Sequence, residues 1–393
     1  MPLNIETIRA ATPGCEESAF LLSAGSSLPT QATLRAVVDH LELESRVGGY
    51  AAADAVAPVL QHARASLATL IGGQSCEVAL AISDSAAWIK AWWGWCLGGN
   101  VAKGSVVLID RLSYHSHYAA LVQTQTVFGF AIEVFASHPD GTVDLDHAVI
   151  AANVSVICLT MIGTHCGNVN PVADIARLAA AQSVPVFVDG CQALGHMQVN
   201  VRDLGIQVFT GTGRKYLRAP RGTGVLWVAS ELIERFQPPG IDGTSSSWDP
   251  ANGITVHPGM ARFEEYENSI AAQVGLANAA GEAVALGMAN IEPAVIDLAD
   301  HLRAELSESP GVTVQDTAIK RCGIVTFTVN EIEPAEVVAA AKLANVVINA
   351  SNANWASLDM QAKGFNQVVR AAPHYFNTVD EIDSLVSVVR NLR

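Results

Sequence analysis

Residues 184–228 read VPVFVDGCQALGHMQVNVRDLGIQVFTGTGRKYLRAPRGTGVLWV. The run opens with a mostly apolar segment, Val184 to Val188, that ends on a single acid, Asp189. A short apolar run closed by a polar residue is the pattern of a buried parallel strand whose C-terminal end faces a site. A second such strand, Gln207 to Phe209, delivers Thr210-Gly211-Thr212-Gly213-Arg214-Lys215. After a Gly- and Pro-rich turn a third strand runs from Gly224 to Val228. Two strands therefore bring one acid and one lysine to the same edge of a sheet.

Outward from this stretch the same alternation continues. Strands are expected near Val78–Ile82, Val106–Asp110, Ala131–Phe135 and Val154–Thr160, which with the three above makes seven. Helical spacing appears near Gln31–Glu44, Ala53–Leu70, Ser85–Leu97, His115–Gln123, Val172–Gln182 and Glu231–Phe236. Strands alternating with helices at this interval predict a mainly parallel sheet with helices on both faces. Residues 238–259 are Gly- and Ser-rich and suit an exposed loop. A long helical pattern from Asn268 to Ala289 leads into a smaller α+β unit. That unit has strands near Ile324–Val329, Val346–Ile348 and Val368–Ala371, and helices near Val295–Leu306, Pro334–Leu343 and Val379–Leu392. The expected organisation is an N-terminal segment (1–22) packing with the small domain, a large α/β domain (23–262) and a small C-terminal domain (263–393).

Composition narrows the function. Half of the 393 residues are hydrophobic and 16% are charged, which is a globular composition. The net charge is −15 with no basic cluster, which argues against nucleic acid as a partner. No uncharged apolar run reaches the length of a membrane span, and no secretory leader is visible, so a cytoplasmic location is expected. The seven cysteines are scattered without a CxxC pair and read as reduced thiols.

Several residues could carry chemistry. Ser83-Asp84-Ser85 follows a strand and opens a helix, so it could cradle a phosphate on backbone N–H groups, or simply cap the helix. Trp88, Trp92 and Trp95 share one face of that helix and suit core or dimer packing. Tyr114 could cover a planar ring. His117 could act as an acid–base or substrate-facing group; His115 and His117 lack a third ligand at useful spacing, so no metal is expected. Asp189 ends a buried strand, where a carboxylate needs a cationic or hydrogen-bonding partner. Gln192, three residues on, can address the same ligand. Lys215 is one of six lysines in the chain and is either a solvated loop residue or an amine suited to a Schiff base. The small-residue loop Ser23 to Ser27, with Ser26, could let backbone approach a ligand or be an ordinary turn.

In these spacings the chain resembles the class V branch of fold-type I pyridoxal-phosphate enzymes over nearly its whole length. The residues that carry the resemblance are Asp189-x-x-Gln192, Thr212-Gly213-Arg214-Lys215 and Arg218-Ala219-Pro220-Arg221-Gly222-Thr223-Gly224. The resemblance implies pyridoxal 5'-phosphate as cofactor, carried as a Schiff base on Lys215. It implies that Asp189 pairs with the ring nitrogen, Gln192 contacts the ring hydroxyl and Tyr114 stacks on the ring. Ser85, with the neighbouring Asp84, and Thr212 and Arg214 fall at the phosphate, although relatives usually carry an Asn-Ala-Thr type cradle there. Arg370, in Val368-Val369-Arg370-Ala371-Ala372-Pro373, matches the arginine that grips the substrate carboxylate, for which a planar guanidinium is suited. A homodimer is implied, with Thr244 or Ser245 of the 243–248 loop as candidates to reach the neighbouring site.

Within this branch the chain is similar to hercynylcysteine sulfoxide lyases and to lincosamide-pathway enzymes that process S-cysteine conjugates. The supporting stretches are Val47-Gly48-Gly49-Tyr50, Arg262-Phe263-Glu264-Glu265-Tyr266-Glu267-Asn268 and Pro373-His374-Tyr375-Phe376-Asn377-Thr378. Arg262 and Glu264 could also pair with each other. The resemblance implies an S-substituted cysteine as substrate, with β-elimination as the expected reaction. Decarboxylation coupled to deamination is the alternative, followed by epimerisation or transamination. A cysteine desulfurase needs a thiol on the loop before the carboxylate arginine, and residues 349–364 contain none. A non-enzymatic member of the fold is disfavoured because Lys215 and Arg370 are both present.

Overall fold

In a computed structural model, which describes residues 3–392, the alternation of the sequence becomes one seven-stranded sheet. Its strands are β1 (Val78–Ala81), β2 (Val106–Ile109), β3 (Ala131–Val134), β4 (Val154–Thr160), β5 (Val186–Asp189), β6 (Val208–Thr212) and β7 (Gly224–Val228). Their order across the sheet is β1-β7-β6-β5-β4-β2-β3. All neighbours are parallel except β7, which runs antiparallel to both β1 and β6. Every residue of β2, β5, β6 and β7 is buried, as expected of strands covered on both faces. The register sets Thr160 beside Asp189 and Asp189 beside Thr210, so three polar residues meet at one sheet edge.

The Trp-rich helix α3 (Asp84–Leu97) packs on this sheet, after α1 (Gln31–Val47) and α2 (Gly49–Ile71) earlier in the chain. Ser83 caps α3 by accepting the Ala86 N–H at 3.1 Å. Trp88, Trp92 and Trp95 are buried, and Trp95 meets the edge of Phe187 from β5. That face is core. Helices α4 (His115–Phe128) and α5 (Val172–Ala180) complete the covering layers.

Helix α6 (Ile270–Leu286) packs Leu276, Ala277 and Ala280 into the core shared with α2, and α7 (Met288–Ser307) carries Ala299, Leu302 and Leu306 into the core of the smaller C-terminal unit. Its sheet contains β8 (Val312–Val314), β9 (Val325–Val329), β10 (Asn349–Asn352) and β11 (Gln367–Ala371), all antiparallel in the order β8-β9-β11-β10. Helices α8 (Pro334–Leu343) and α9 (Val379–Arg390) contribute Val337, Ile382 and Leu385 to its core. The short strand Ala19–Phe20 of the N-terminal segment pairs in parallel with Val346–Val347. Met1, Pro2 and Arg393 of the expected segments lie outside the described residues.

Several local expectations change. Residues 246–256 are not a plain loop: Ser246–Asp249 and Gly253–Val256 form an antiparallel hairpin. Ser230–Arg235 is a 3₁₀ helix. Arg262 and Glu264 do not pair with each other, because Arg262 pairs with Glu234 and Glu264 with Arg64 at 2.6 Å. No helix among the described residues is long and apolar enough to cross a membrane.

Candidate active site

Strand β5 ends on Asp189 because the chain must turn there, and Gly190 makes the turn. A Cβ on Gly190 would lie 1.9 Å from the Phe209 ring, so no larger residue fits between β5 and β6. Asp189 Oδ1 then accepts the Cys191 N–H at 2.9 Å. From the neighbouring strand, Lys215 is buried to 6% exposure with its Nζ 3.2 Å from Cys191 Sγ. The acid and the amine expected at one edge are thus brought together around Cys191. Burial pushes the Cys191 thiol up, which keeps it protonated and a weak nucleophile.

Behind Asp189 lies a charge cluster that spacing along the chain does not reveal. His117 sits with Nδ1 3.1 Å from Asp189 Oδ2 and Nε2 2.9 Å from Asp84 Oδ2, and all three residues are buried. The imidazole stacks on Trp88 at 4.3 Å with 14° between the planes. Burial works against its charged form, but the two carboxylates outweigh it and hold the pKa up at about 10. Burial likewise opposes ionisation of Asp84, and His117 overcomes it, so that carboxyl is held below its ordinary value. The three donor atoms lie within 4.8 Å of one another, a spacing that could suit a metal. Both ring nitrogens already face carboxylate oxygens, however, so the geometry is that of an ion-paired imidazolium.

In front of Lys215 opens a cavity of about 240 Å³ lined by Tyr114, Thr164, Arg214, Lys215, Trp355 and Arg370 among others. A larger groove of about 490 Å³ elsewhere contains neither Lys215 nor Arg370. Arg370 donates from Nε to Asn349 Oδ1 at 3.1 Å and from Nη1 to Thr164 Oγ1 at 3.2 Å. Among the described residues no protein acceptor meets its Nη2. Burial lowers the Arg370 pKa to about 10, which leaves it a cation at neutral pH. Trp355 stands parallel to Tyr114 at 6.2 Å.

The expected site residues divide by this geometry. Tyr114, Arg214, Lys215 and Arg370 line the cavity. Gln192 is buried, with Nε2 donating to Ala24 O at 3.1 Å and Oε1 left without a partner. Thr212 is buried and donates to Thr223 O at 3.3 Å. Ser85 Oγ meets Ser116 Oγ at 2.8 Å at the start of α3. Two expectations are corrected. His117 does not face substrate; it is 3% exposed and lies behind Asp189, on the Trp88 side. Asp84 does not present its carboxylate at a phosphate cradle, because that group is turned inward onto His117. From the 23–27 loop it is Ala24 and Gly25, rather than Ser26, that line the cavity.

Thr164, Asn349 and Trp355 have no motif to mark them, and only proximity in the fold reveals them. The ensemble fits pyridoxal phosphate: an amine, a carboxylate at a strand end, a flat aromatic wall, an unpartnered Gln192 oxygen and the Arg214 cation. Lys215 would carry the group, Asp189 would face its ring nitrogen, and Ser85, Thr212 and Arg214 would take its phosphate.

Comparison with known proteins agrees with this arrangement. The profile of the family described as aminotransferase class-V matches residues 19–385. A probable hercynylcysteine sulfoxide lyase of Mycobacterium tuberculosis is 29% identical, covering 97% of this chain and 91% of the relative. A probable cysteine desulfurase of Xylella fastidiosa is 28% identical over 84% of this chain and 79% of the relative. The solved structure of a cysteine desulfurase from Thermococcus onnurineus superposes with a TM-score of 0.91, covering 100% of this chain and 98% of the other at 23% identity.

Proposed function

Because the chain belongs to the aminotransferase class-V family, we propose that it is a pyridoxal-phosphate enzyme that cleaves the C–S bond of an S-substituted cysteine by β-elimination. The cofactor, when bound, supplies the electron sink for a carbanion at the substrate α-carbon. The chain's own residues do the rest. Arg370, with Nη2 open to the cavity, binds and orients the α-carboxylate. Lys215 Nζ would take the α-proton, Asp189 would face the ring nitrogen, and Tyr114 and Trp355 wall the cavity against water.

The observation that carries this reading is Arg370 beside Lys215 in one cavity. A carboxylate held by charge-assisted bonds to a pre-positioned guanidinium is favoured as the anion, which opposes its departure as carbon dioxide. Desulfuration through a persulfide is disfavoured, because residues 349–364 before Arg370 hold no cysteine and burial raises the Cys191 thiol. The names of the two sequence relatives support sulfur chemistry on cysteine derivatives.

Incubation with an S-alkyl cysteine, followed by mass spectrometry, tests the proposal. Pyruvate, ammonia and free thiol are the expected products. Carbon dioxide with the sulfur retained would replace elimination by decarboxylation.

A further inference from the structure

Asp84 is an odd residue for its place. It is the first residue of α3, at a helix N-terminus beside a strand end, where an anion would bind. An acid there would repel that anion, yet the carboxylate is 4% exposed and turned away from the helix mouth onto His117. His117 comes from the first turn of α4 and reaches Asp189 with its other nitrogen. Two carboxylates from different elements therefore share one imidazole.

We propose that Asp84 and His117 are positioning residues that act on the bound cofactor through Asp189, Asp84 balancing the imidazolium so that the charge of Asp189 stays available to the ring nitrogen. This rests on the cofactor site and is independent of which substrate bond breaks. The charge count is the argument. Asp84, His117 and Asp189 ionised together leave one net negative charge, which matches one protonated ring nitrogen. Remove the Asp84 charge, and the imidazolium cancels Asp189 and leaves the ring proton without a counter-ion. The other groups facing the imidazole do not alter this count. Trp88 from α3 stacks on it and Tyr114 meets it edge-on at 5.8 Å. Lys215, beyond Asp189, acts on Asp84 as a cation but is the cofactor's own attachment.

The pair is also braced against movement. The indole of Trp88 stacks on the imidazole, which hydrogen-bonds Asp84 through Nε2 and sets Nδ1 3.1 Å from Asp189 Oδ2. Asp189 Oδ1 is held separately by the Cys191 N–H, which leaves Oδ2 as the oxygen His117 positions.

The holoenzyme with labelled histidine provides the test. In the native chain the NMR signals of His117 should show an imidazolium at pH 8. Asp84→Asn should lower the titration midpoint of His117 by at least one pH unit and introduce a matching pH dependence into the visible cofactor band. Cofactor affinity in that variant should fall at least tenfold below the midpoint and recover above it. Adding His117→Asn to Asp84→Asn restores the charge count, so the double variant should lose the new pH dependence. A merely structural role would make the double variant worse than the single one. The proposal is overturned if native His117 is neutral at pH 8, or if the band and affinity of Asp84→Asn match the native enzyme. It also fails if the double variant is no closer to native than the single one. A native protein that never takes up the cofactor would instead remove the cofactor assignment, and the NMR result still reports whether the ion pair exists.

Discussion

Arg370 is gripped on two sides and open on the third. Asn349 and Thr164 take its Nε and Nη1, so the guanidinium plane is fixed before any carboxylate arrives. Pre-positioning of this kind reduces the ordering cost of binding. Truncation to alanine should raise KM for an amino-acid substrate on the order of a hundredfold, corresponding to about 3 kcal/mol for a buried charge-assisted pair. The visible cofactor band should be unchanged, and steady-state kinetics with absorbance reads both. Lys215→Ala should do the reverse, abolishing the band while the protein keeps its folded circular dichroism. At this scale the residues by themselves mark only Asp189, a carboxylate ending a buried strand. Lys215 and Arg370 are open to a solvated or structural reading when taken alone and stand out only through the family resemblance. His117 is open as well: the same residue could face substrate or core, and only the placement of Asp84 and Trp88 around it decides.

The element that carries Trp355 is built to stay in place. The short helix Ser357–Ala362 follows it, and Asp359 in that helix is fully buried. Asp359 accepts from Arg111 Nε at 2.7 Å and from His165 Nε2 at 2.6 Å, and pairs with Lys363 Nζ at 2.7 Å. Burial alone would raise its pKa, but His165 and Lys363 hold it down at about 2. A lowered carboxylate contributes stability above its unfolded value near 4 that is lost only as the pH falls through about 2. Asp359→Asn should therefore cost about 3 kcal/mol at neutral pH, the scale of a broken buried ion pair, as measured by denaturant unfolding. It should also weaken substrate binding, since Trp355, which lines the cavity, directly precedes that helix; an unchanged KM would detach the loop from the site. The strand β10 next to it, Asn349–Asn352, escapes sequence reading because Asn-Ala-Ser-Asn has no apolar alternation. Its partner β11 is plainly hydrophobic and is foreseen. The hairpin at 246–256 is missed because its strands are only four residues long and mostly exposed, set in Gly- and Ser-rich sequence.

Across the whole molecule the site is joined to the C-terminal unit by buried neutral histidines. His196 follows Gln192 by one turn, donates from Nδ1 to Gln192 O at 2.9 Å, and accepts the Gly323 N–H on Nε2 at 2.7 Å. His374 faces Tyr216 O through Nε2 at 2.9 Å and accepts the Tyr375 N–H on Nδ1 at 2.9 Å. Each ring needs one bare nitrogen: protonation of His196 would break its bond to the distant Gly323 N–H, and protonation of His374 its bond to the adjacent Tyr375 N–H. Burial lowers the pKa of both, to about 4 for His196. For a base lowered in this way, the unfolded chain binds the proton more readily than the folded one. The stabilisation is complete above about 6.5, the ordinary histidine value, and is lost as the pH falls toward about 4. His196 alone should thus withdraw about 2 kcal/mol between pH 7.5 and 5. Asp110 acts in the opposite sense. Burial raises its pKa to about 7, so its contribution is present below the ordinary carboxylate value and lost as the pH rises through about 7. The native slope is a difference of such contributions, and a comparison with His196→Gln isolates one of them. Glutamine can still accept from Gly323 but does not titrate. The variant should be less stable at pH 7.5, yet lose about 2 kcal/mol less than the native chain on acidification to pH 5. Denaturant unfolding at the two pH values gives the answer, and parallel slopes for the two proteins would mean that His196 does not couple the units to pH.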